Sequence, residues 1–136
     1  MYQHLIQYYE TDRMGVTHHS NYIRFMEEAR LDFFNKLGYS YLTLEKVGVF
    51  SPVVGLNNIR YKKSSTAGDV LDIEVTILSM NTVTFTIGYV MKNKDVVVFT
   101  GESEHCLISK EGRILPLNNS QTREFYEKVK SLVKSE

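Results

Sequence analysis

Apolar residues along the chain follow two different periods, and each predicts its own element. Tyr22, Phe25, Met26, Ala29, Phe33 and Leu37 recur at steps of three and four. That spacing makes one wide apolar stripe on a helix of about sixteen residues. Arg24, Glu27, Glu28, Arg30, Asp32 and Lys36 fall between them and form the expected polar side. Ser20 is the expected N-cap and Gly38 the expected left-handed terminator. Further on the period becomes two: Leu71, Ile73, Val75 and Ile77 alternate with Asp72, Glu74 and Thr76. After the tight connection Met80-Asn81-Thr82 the alternation resumes at Val83, Phe85, Ile87, Tyr89 and Met91. This is the signature of half-buried strands.

The remaining segments fill in the order. Tyr2 to Tyr9 reads as a first strand, and Tyr39 to Lys46 as a connection that includes a short helical turn. Val47 to Lys63 reads as extended chain interrupted near Gly55, and Ser64 to Asp69 as a turn. Lys92-Asn93-Lys94-Asp95 is a hairpin turn, Val96 to Ser109 a long last strand, and Pro116 limits any strand after it. Asn119 or Ser120 is expected to cap a terminal helix on which Phe125, Val129 and Leu132 share a face. The sum is strand, helix, four antiparallel strands, helix. Such an order gives one α+β domain, an antiparallel sheet wrapped around one long central helix. Val96-Val97-Val98-Phe99 is apolar on both faces, which suggests an outer face covered in an oligomer.

Composition narrows the function. The chain has 136 residues, 16 basic against 16 acidic, so its formal charge is zero. Nucleic-acid binders carry a basic excess, so none is expected as a partner. No apolar run approaches a membrane span, and the N-terminus lacks a signal-peptide pattern. The single cysteine, Cys106, has no internal partner and reads as a buried strand residue. A cytoplasmic protein is the expectation.

Chemistry-bearing residues concentrate in Tyr8-Tyr9-Glu10-Thr11-Asp12-Arg13-Met14-Gly15-Val16-Thr17-His18-His19-Ser20-Asn21-Tyr22. A strand-to-helix turn can bring a carboxylate and unpaired backbone N–H groups to the same small volume. That arrangement suits attack on a carbonyl. Taken alone, Asp12 reads first as a turn cap. Glu10 reads as a solvated loop residue, and Gly15 permits a sharp turn or a close approach of substrate. His18 and His19 are adjacent, so their rings are expected to diverge, and the stretch offers too few ligands for a metal. Asn21 and Tyr22 are expected to fix the helix start, with the Tyr22 ring buried. Arg60, Lys62 and Lys63 put three cations within four residues, either a solvated strand end or a rim for phosphates.

The spacing Tyr8-x-x-x-Asp12-x-x-Gly15-Val16-x-x-His19-x-Asn21-Tyr22, continuing through Phe25-Met26-Glu27-Glu28-Ala29-Arg30, resembles the signature of the 4-hydroxybenzoyl-CoA thioesterase family. That resemblance implies the hotdog fold and hydrolysis of acyl-CoA, with no cofactor. It implies Asp12 as general base or nucleophile, the backbone N–H of His19 as the polarising group, and Tyr8 near the aspartate. Gly15, Asn21, Tyr22, Arg60 and Lys62 become candidate substrate contacts. Asn58, or its neighbour Asn57, is expected to face the pocket from a partner subunit in a homodimer or homotetramer. Ser64-Ser65 stands where relatives often have a proline, which puts the geometry of that turn in question. An acyl-carrier-protein thioesterase and a non-catalytic acyl-CoA-binding module are the alternatives.

Overall fold

In the computed structural model, residues 1–133 are described. Strand β1 (Tyr2–Leu5) leads through a 3₁₀ turn (Tyr8–Glu10) and a loop into helix α1 (His19–Leu37), followed by the short α2 (Tyr41–Lys46). Then come β2 (Val53–Tyr61), β3 (Val70–Met80), β4 (Thr84–Asn93), β5 (Val96–Ile108), the two-residue β6 (Ile114–Leu115) and α3 (Arg123–Ser131). The long strands lie in the order β1-β3-β4-β5-β2, every pairing antiparallel, with β6 added to β5. The sheet curls round α1. This is the hotdog architecture, an α+β fold with one central helix and a helix at the end of the chain.

The core sits between the helix stripe and the inner face of the sheet. Tyr22, Phe25, Met26 and Ala29 of α1 meet Leu71, Ile73 and Ile77 of β3 and Phe85, Ile87, Tyr89 and Met91 of β4, all buried. The period of two places those strand residues on one face. Gly38 ends α1 in the left-handed region at φ 88°, as expected. The β4–β5 hairpin turns through Lys94 and Asp95 at φ 48° and 71°, the left-handed pair that a two-residue hairpin requires.

Several expectations are corrected. The first strand stops at Leu5, because the Glu10 carboxylate turns back to accept from Gln7 N–H at 2.8 Å and closes the 3₁₀ turn. The N-cap of α1 is His18, whose Nδ1 accepts from Ser20 N–H at 3.2 Å, so Ser20 lies inside the helix. Thr122 is the N-cap position of α3, and Asn119 caps the turn before it by accepting from Gln121 and Thr122 N–H. Leu132 lies past the last turn of α3 and is exposed, leaving Phe125 and Val129 as the buried face. Arg30, placed on the polar side by its spacing, is only 6% exposed.

The apolar run in β5 has a cause inside the chain. Met91 pairs with Phe99 but Lys92 pairs with Val97, so Val98 is the extra residue of a β-bulge. Val98 and Phe99 are consecutive yet both buried, as a bulge allows. Val96 remains exposed. Cys106 is buried and free, its thiol pKa raised by burial and by Glu104. No helix among the described residues is long and apolar enough to cross a membrane.

Candidate active site

The loop between the 3₁₀ turn and α1 is a miniature hairpin. Thr11 and Thr17 form an antiparallel bridge, Asp12 N–H donates to Val16 C=O at 2.8 Å, and Gly15 turns the chain at φ 79°. Only glycine takes that φ without strain. A Cβ there would meet nothing within 4 Å, so the requirement is conformational rather than steric.

Two anchors hold this hairpin. On one side His18 N–H and the Asn21 Nδ2 group both donate to Glu10 C=O, at 2.9 and 2.8 Å. The Glu10 side chain is buried rather than solvated as expected: its Oε1 lies 2.8 Å from Nε2 of His4, whose Nδ1 lies 2.9 Å from Glu28 Oε1. On the other side Ser65, also buried, accepts Thr17 N–H on its carbonyl at 2.7 Å. Its hydroxyl sits 2.7 Å from both Thr17 Oγ1 and the Tyr22 hydroxyl. Thr66 Oγ1 donates to Gly15 C=O at 2.6 Å. The turn with serines in place of a proline is therefore stapled to the loop by those serine and threonine groups.

Held in this way, Asp12 is half-buried and lines an open crevice with His19, Tyr22, Tyr61, Lys62 and Lys63. Its Oδ1 accepts Met14 N–H at 2.8 Å and Val16 N–H at 3.4 Å. Its Oδ2 has no hydrogen-bond partner among the described residues. The turn-cap and chemical readings of Asp12 thus divide between its two oxygens. His19 is the first residue of α1, and its N–H finds no acceptor among the described residues. A helix start carries partial positive charge, so a free N–H there favours developing negative charge beside it.

The other expected residues divide. Tyr22 is buried, stacks on Phe99 at 5.1 Å and edges the crevice. Asn21 is structural, tied to Glu10 C=O. Lys62 and Lys63 line the crevice, whereas Arg60 points elsewhere and donates to the Ile59 carbonyl. Tyr8 is 86% exposed on its 3₁₀ turn and makes no hydrogen bond to Asp12. Asn58, at φ 52° in an irregular part of β2, donates to Glu102 Oε2 and lies away from the crevice of its own chain. The His18 and His19 rings do not diverge; their centroids are 4.2 Å apart. The His19 ring makes no hydrogen bond to Asp12 and edges against Tyr61, whose hydroxyl donates to His19 C=O at 3.2 Å. No group of three or more His, Cys, Asp or Glu among the described residues could hold a metal ion.

Tyr61 and Thr17 were not singled out by the sequence, and Ser65 only as part of a turn that lacks a proline. Their contacts with the motif span more than forty residues, beyond any local pattern.

A profile of the thioesterase-like superfamily matches residues 6–132. The chain belongs to that superfamily. Its relatives include a candidate esterase of Aquifex aeolicus (strain VF5), 35% identical over 118 residues, which cover 86% of this chain and 90% of that protein. The candidate acyl-CoA thioesterase YneP of Bacillus subtilis (strain 168) is 36% identical over 107 residues, 78% of this chain and 77% of its own. Among solved structures, a DHNA-CoA thioesterase from Staphylococcus aureus superposes with a TM-score of 0.87 at 33% identity, covering 96% of this chain and 90% of that one. Membership of the superfamily, with thioesterases among the relatives and solved structures, supports thioester hydrolase activity for this chain.

Proposed function

We propose that the protein hydrolyses the thioester of a small acyl- or aroyl-CoA, releasing the free acid and coenzyme A. The observation that carries this reading is the divided state of Asp12: one oxygen fixed by backbone amides, the other free in a crevice at the start of α1. The signature around Asp12 and the names of the relatives support the same reaction class.

The chemistry follows from that geometry. Acting as a base, Asp12 takes a proton from water, and the resulting hydroxide adds to the thioester carbon. Acting as a nucleophile, it forms a mixed anhydride that water then opens. Either route puts negative charge on the carbonyl oxygen. The free His19 N–H, reinforced by the helix dipole, stabilises that charge. Collapse breaks the C–S bond, and the departing thiolate takes up a proton as coenzyme A. Lys62 and Lys63 suit the phosphates of the coenzyme at the rim.

The outer edge of β2, unpaired among the described residues and exposing Val53, Val54 and Leu56, supports a dimer joined through that strand. Such a partner could bring its own Asn58 towards this crevice.

The test is a panel of acyl- and aroyl-CoA thioesters, with matched carrier-protein thioesters, read by thiol release. Asp12→Asn should lower kcat by about two to four powers of ten while circular dichroism stays unchanged. Near-normal turnover by that variant removes Asp12 from the mechanism. Binding of acyl-CoA without thiol release in the wild type turns the reading into a binding module.

A further inference from the structure

Among the described residues, His4 alone has a carboxylate oxygen against each ring nitrogen. Glu10 Oε1 lies 2.8 Å from its Nε2, and Glu28 Oε1 lies 2.9 Å from its Nδ1. Glu10 ends the 3₁₀ turn and Glu28 sits in the middle of α1, so His4 joins the two elements between which the Asp12 loop is strung. Apolar groups hold the ring from other sides. It packs on Phe25 with centroids 3.9 Å apart, and its cross-strand neighbour is the buried Leu71. The His4 side chain is 11% exposed and that of Glu10 7%, so water screens their contact little.

The surrounding donors assign the protons. Glu10 Oε1 already accepts the backbone N–H of Gln7 at 2.8 Å, and Glu28 Oε1 accepts the Tyr2 hydroxyl at 2.7 Å. That hydroxyl keeps its proton: its pKa is pushed up to about 12, first by burial, then by the bond to Glu28 and the charges of Glu28 and Asp32. Both carboxylate oxygens are therefore placed as acceptors, whereas a neutral imidazole has one N–H to offer. The two bonds to His4 form together only when the ring carries two protons. Nearby charges are engaged elsewhere: Asp72 accepts from Gln3, Asp69 from Thr66 N–H, and Asp32 pairs with Lys36. Arg24, one turn before Glu28, pairs with neither carboxylate.

We propose that His4, as an imidazolium, is a positioning residue for Asp12: it draws Glu10 and Glu28 together and so sets the loop against α1. Glu10 transmits the effect, because its carbonyl accepts both His18 N–H and the Asn21 side chain at the far end of the loop. His4 itself neither lines the crevice nor touches Asp12. When the ring loses one proton, a bare nitrogen faces a carboxylate oxygen, that bond is lost, and the loop is released. The clamp is thus closed on the acid side of the ring's titration and open on the alkaline side. Its kinetic consequence rests on the thioesterase reading; the proton count and the tethering of the loop do not.

Nitrogen-15 NMR of the histidine-labelled full chain reads the protons directly, with His4 identified by its contact with the Phe25 ring. At pH 7.5, where a free imidazole has mostly lost its second proton, both His4 nitrogens should carry hydrogen. A bare nitrogen overturns the proposal whatever the enzyme does. Amide exchange of His18 reads the tether. His4→Gln, which carries no charge, should lower that protection by roughly 10- to 100-fold, the loss expected for a hydrogen bond to a charged group. On an acyl-CoA that the wild type hydrolyses, kcat should fall as the His4 signal titrates, and His4→Gln should have a lower kcat, a nearly unchanged KM and no such alkaline fall. If His4→Gln does not fold, Glu28→Gln serves: its amide can donate to a bare Nδ1, so the neutral ring satisfies both neighbours and the alkaline fall should vanish. An unchanged alkaline fall in either folded variant, or full His18 protection in His4→Gln, overturns the proposal. A wild type that cleaves no thioester, yet shows two protonated His4 nitrogens and a loosened loop in His4→Gln, sinks the thioesterase reading and leaves the clamp standing.

Discussion

Helix α1 meets opposite electrostatic conditions at its start and past its middle. At the start, Asp12 stands half-buried in an open crevice, one oxygen tied and the other free. Further along, Arg30 is enclosed by rings and hydroxyls and tied to Tyr89. The carboxylate is kept in an open crevice, by a loop held almost entirely through hydrogen bonds. The guanidinium is kept enclosed, by the same packed core that holds the fold together. On the proposed reading, reactivity resides in the loop before α1 and stability in the packed helix, and substitutions should separate them.

The widest separation should come from pairing Asp12→Asn with Phe25→Ala. Phe25 is fully buried on the α1 stripe, with the His4 ring 3.9 Å away and the Tyr22 ring 5.7 Å away. Truncating it should cost about 3–5 kcal/mol of unfolding free energy, measured by denaturant titration. Asp12→Asn should leave the denaturation midpoint almost unmoved while turnover collapses. If Asp12→Asn also lowers the midpoint substantially, the carboxylate is mainly a structural cap and the comparison breaks.

Acid probes the enclosed side. The pKa of His105 is lowered to about 3, first by burial and then by the Arg30 charge, against the opposing effect of the Pro52 carbonyl. In the unfolded chain the same imidazole titrates near its ordinary 6.5. Between those values the unfolded state binds the extra proton, so stability must fall as pH drops from about 6.5 towards 3. The slope from this one group approaches about 1.4 kcal/mol per pH unit inside the window. His105→Gln should flatten the fall of Tm between pH 6 and pH 4. An unchanged slope would show that other groups carry the acid sensitivity.

A smaller effect is expected where the two parts meet. Ser65 is buried, and its hydroxyl serves both Thr17 and Tyr22. Ser65→Ala leaves the Tyr22 hydroxyl without that partner and loosens the loop that carries Asp12. The cost should be about 1–3 kcal/mol of stability, with kcat reduced more than KM because the carboxylate is displaced rather than removed. A loss of stability with kinetics intact would separate the serine staple from the chemistry.

These contrasts also explain what the sequence could reveal. The α1 stripe and the alternation in β3 and β4 are local periods, so those elements were legible. Asp12 and His19 stood out only through the spacing of a whole motif. Arg30 and Glu10 read as outward because a charged residue between apolar positions ordinarily faces water. Their burial depends on Tyr89, 59 residues away, and on His4, across a turn the sequence read as strand. Tyr8 shared the motif's spacing, yet the 3₁₀ turn carries it outward. Asn58 and Arg60 lie in a stretch of β2 where a register shift changes which face each residue takes.

The smallest effect concerns the two lysines at the mouth of the crevice. Lys62 and Lys63 are exposed, and both backbone N–H groups are tied to Val98 C=O, so their positions are fixed while their side chains remain in water. Charges in water contribute little individually, about 0–1 kcal/mol per pair, and salt screens them over about 10 Å at 0.1 M. Replacing both by alanine should raise KM for a coenzyme A thioester by about two- to tenfold and leave kcat nearly unchanged, since neither lysine adjoins the bond that breaks. The difference from wild type should shrink as sodium chloride is raised towards 1 M. A KM change that salt does not touch would mean these side chains pack against substrate rather than attract it. No change at all would place the phosphates elsewhere, and the crevice would then hold the carboxylate alone.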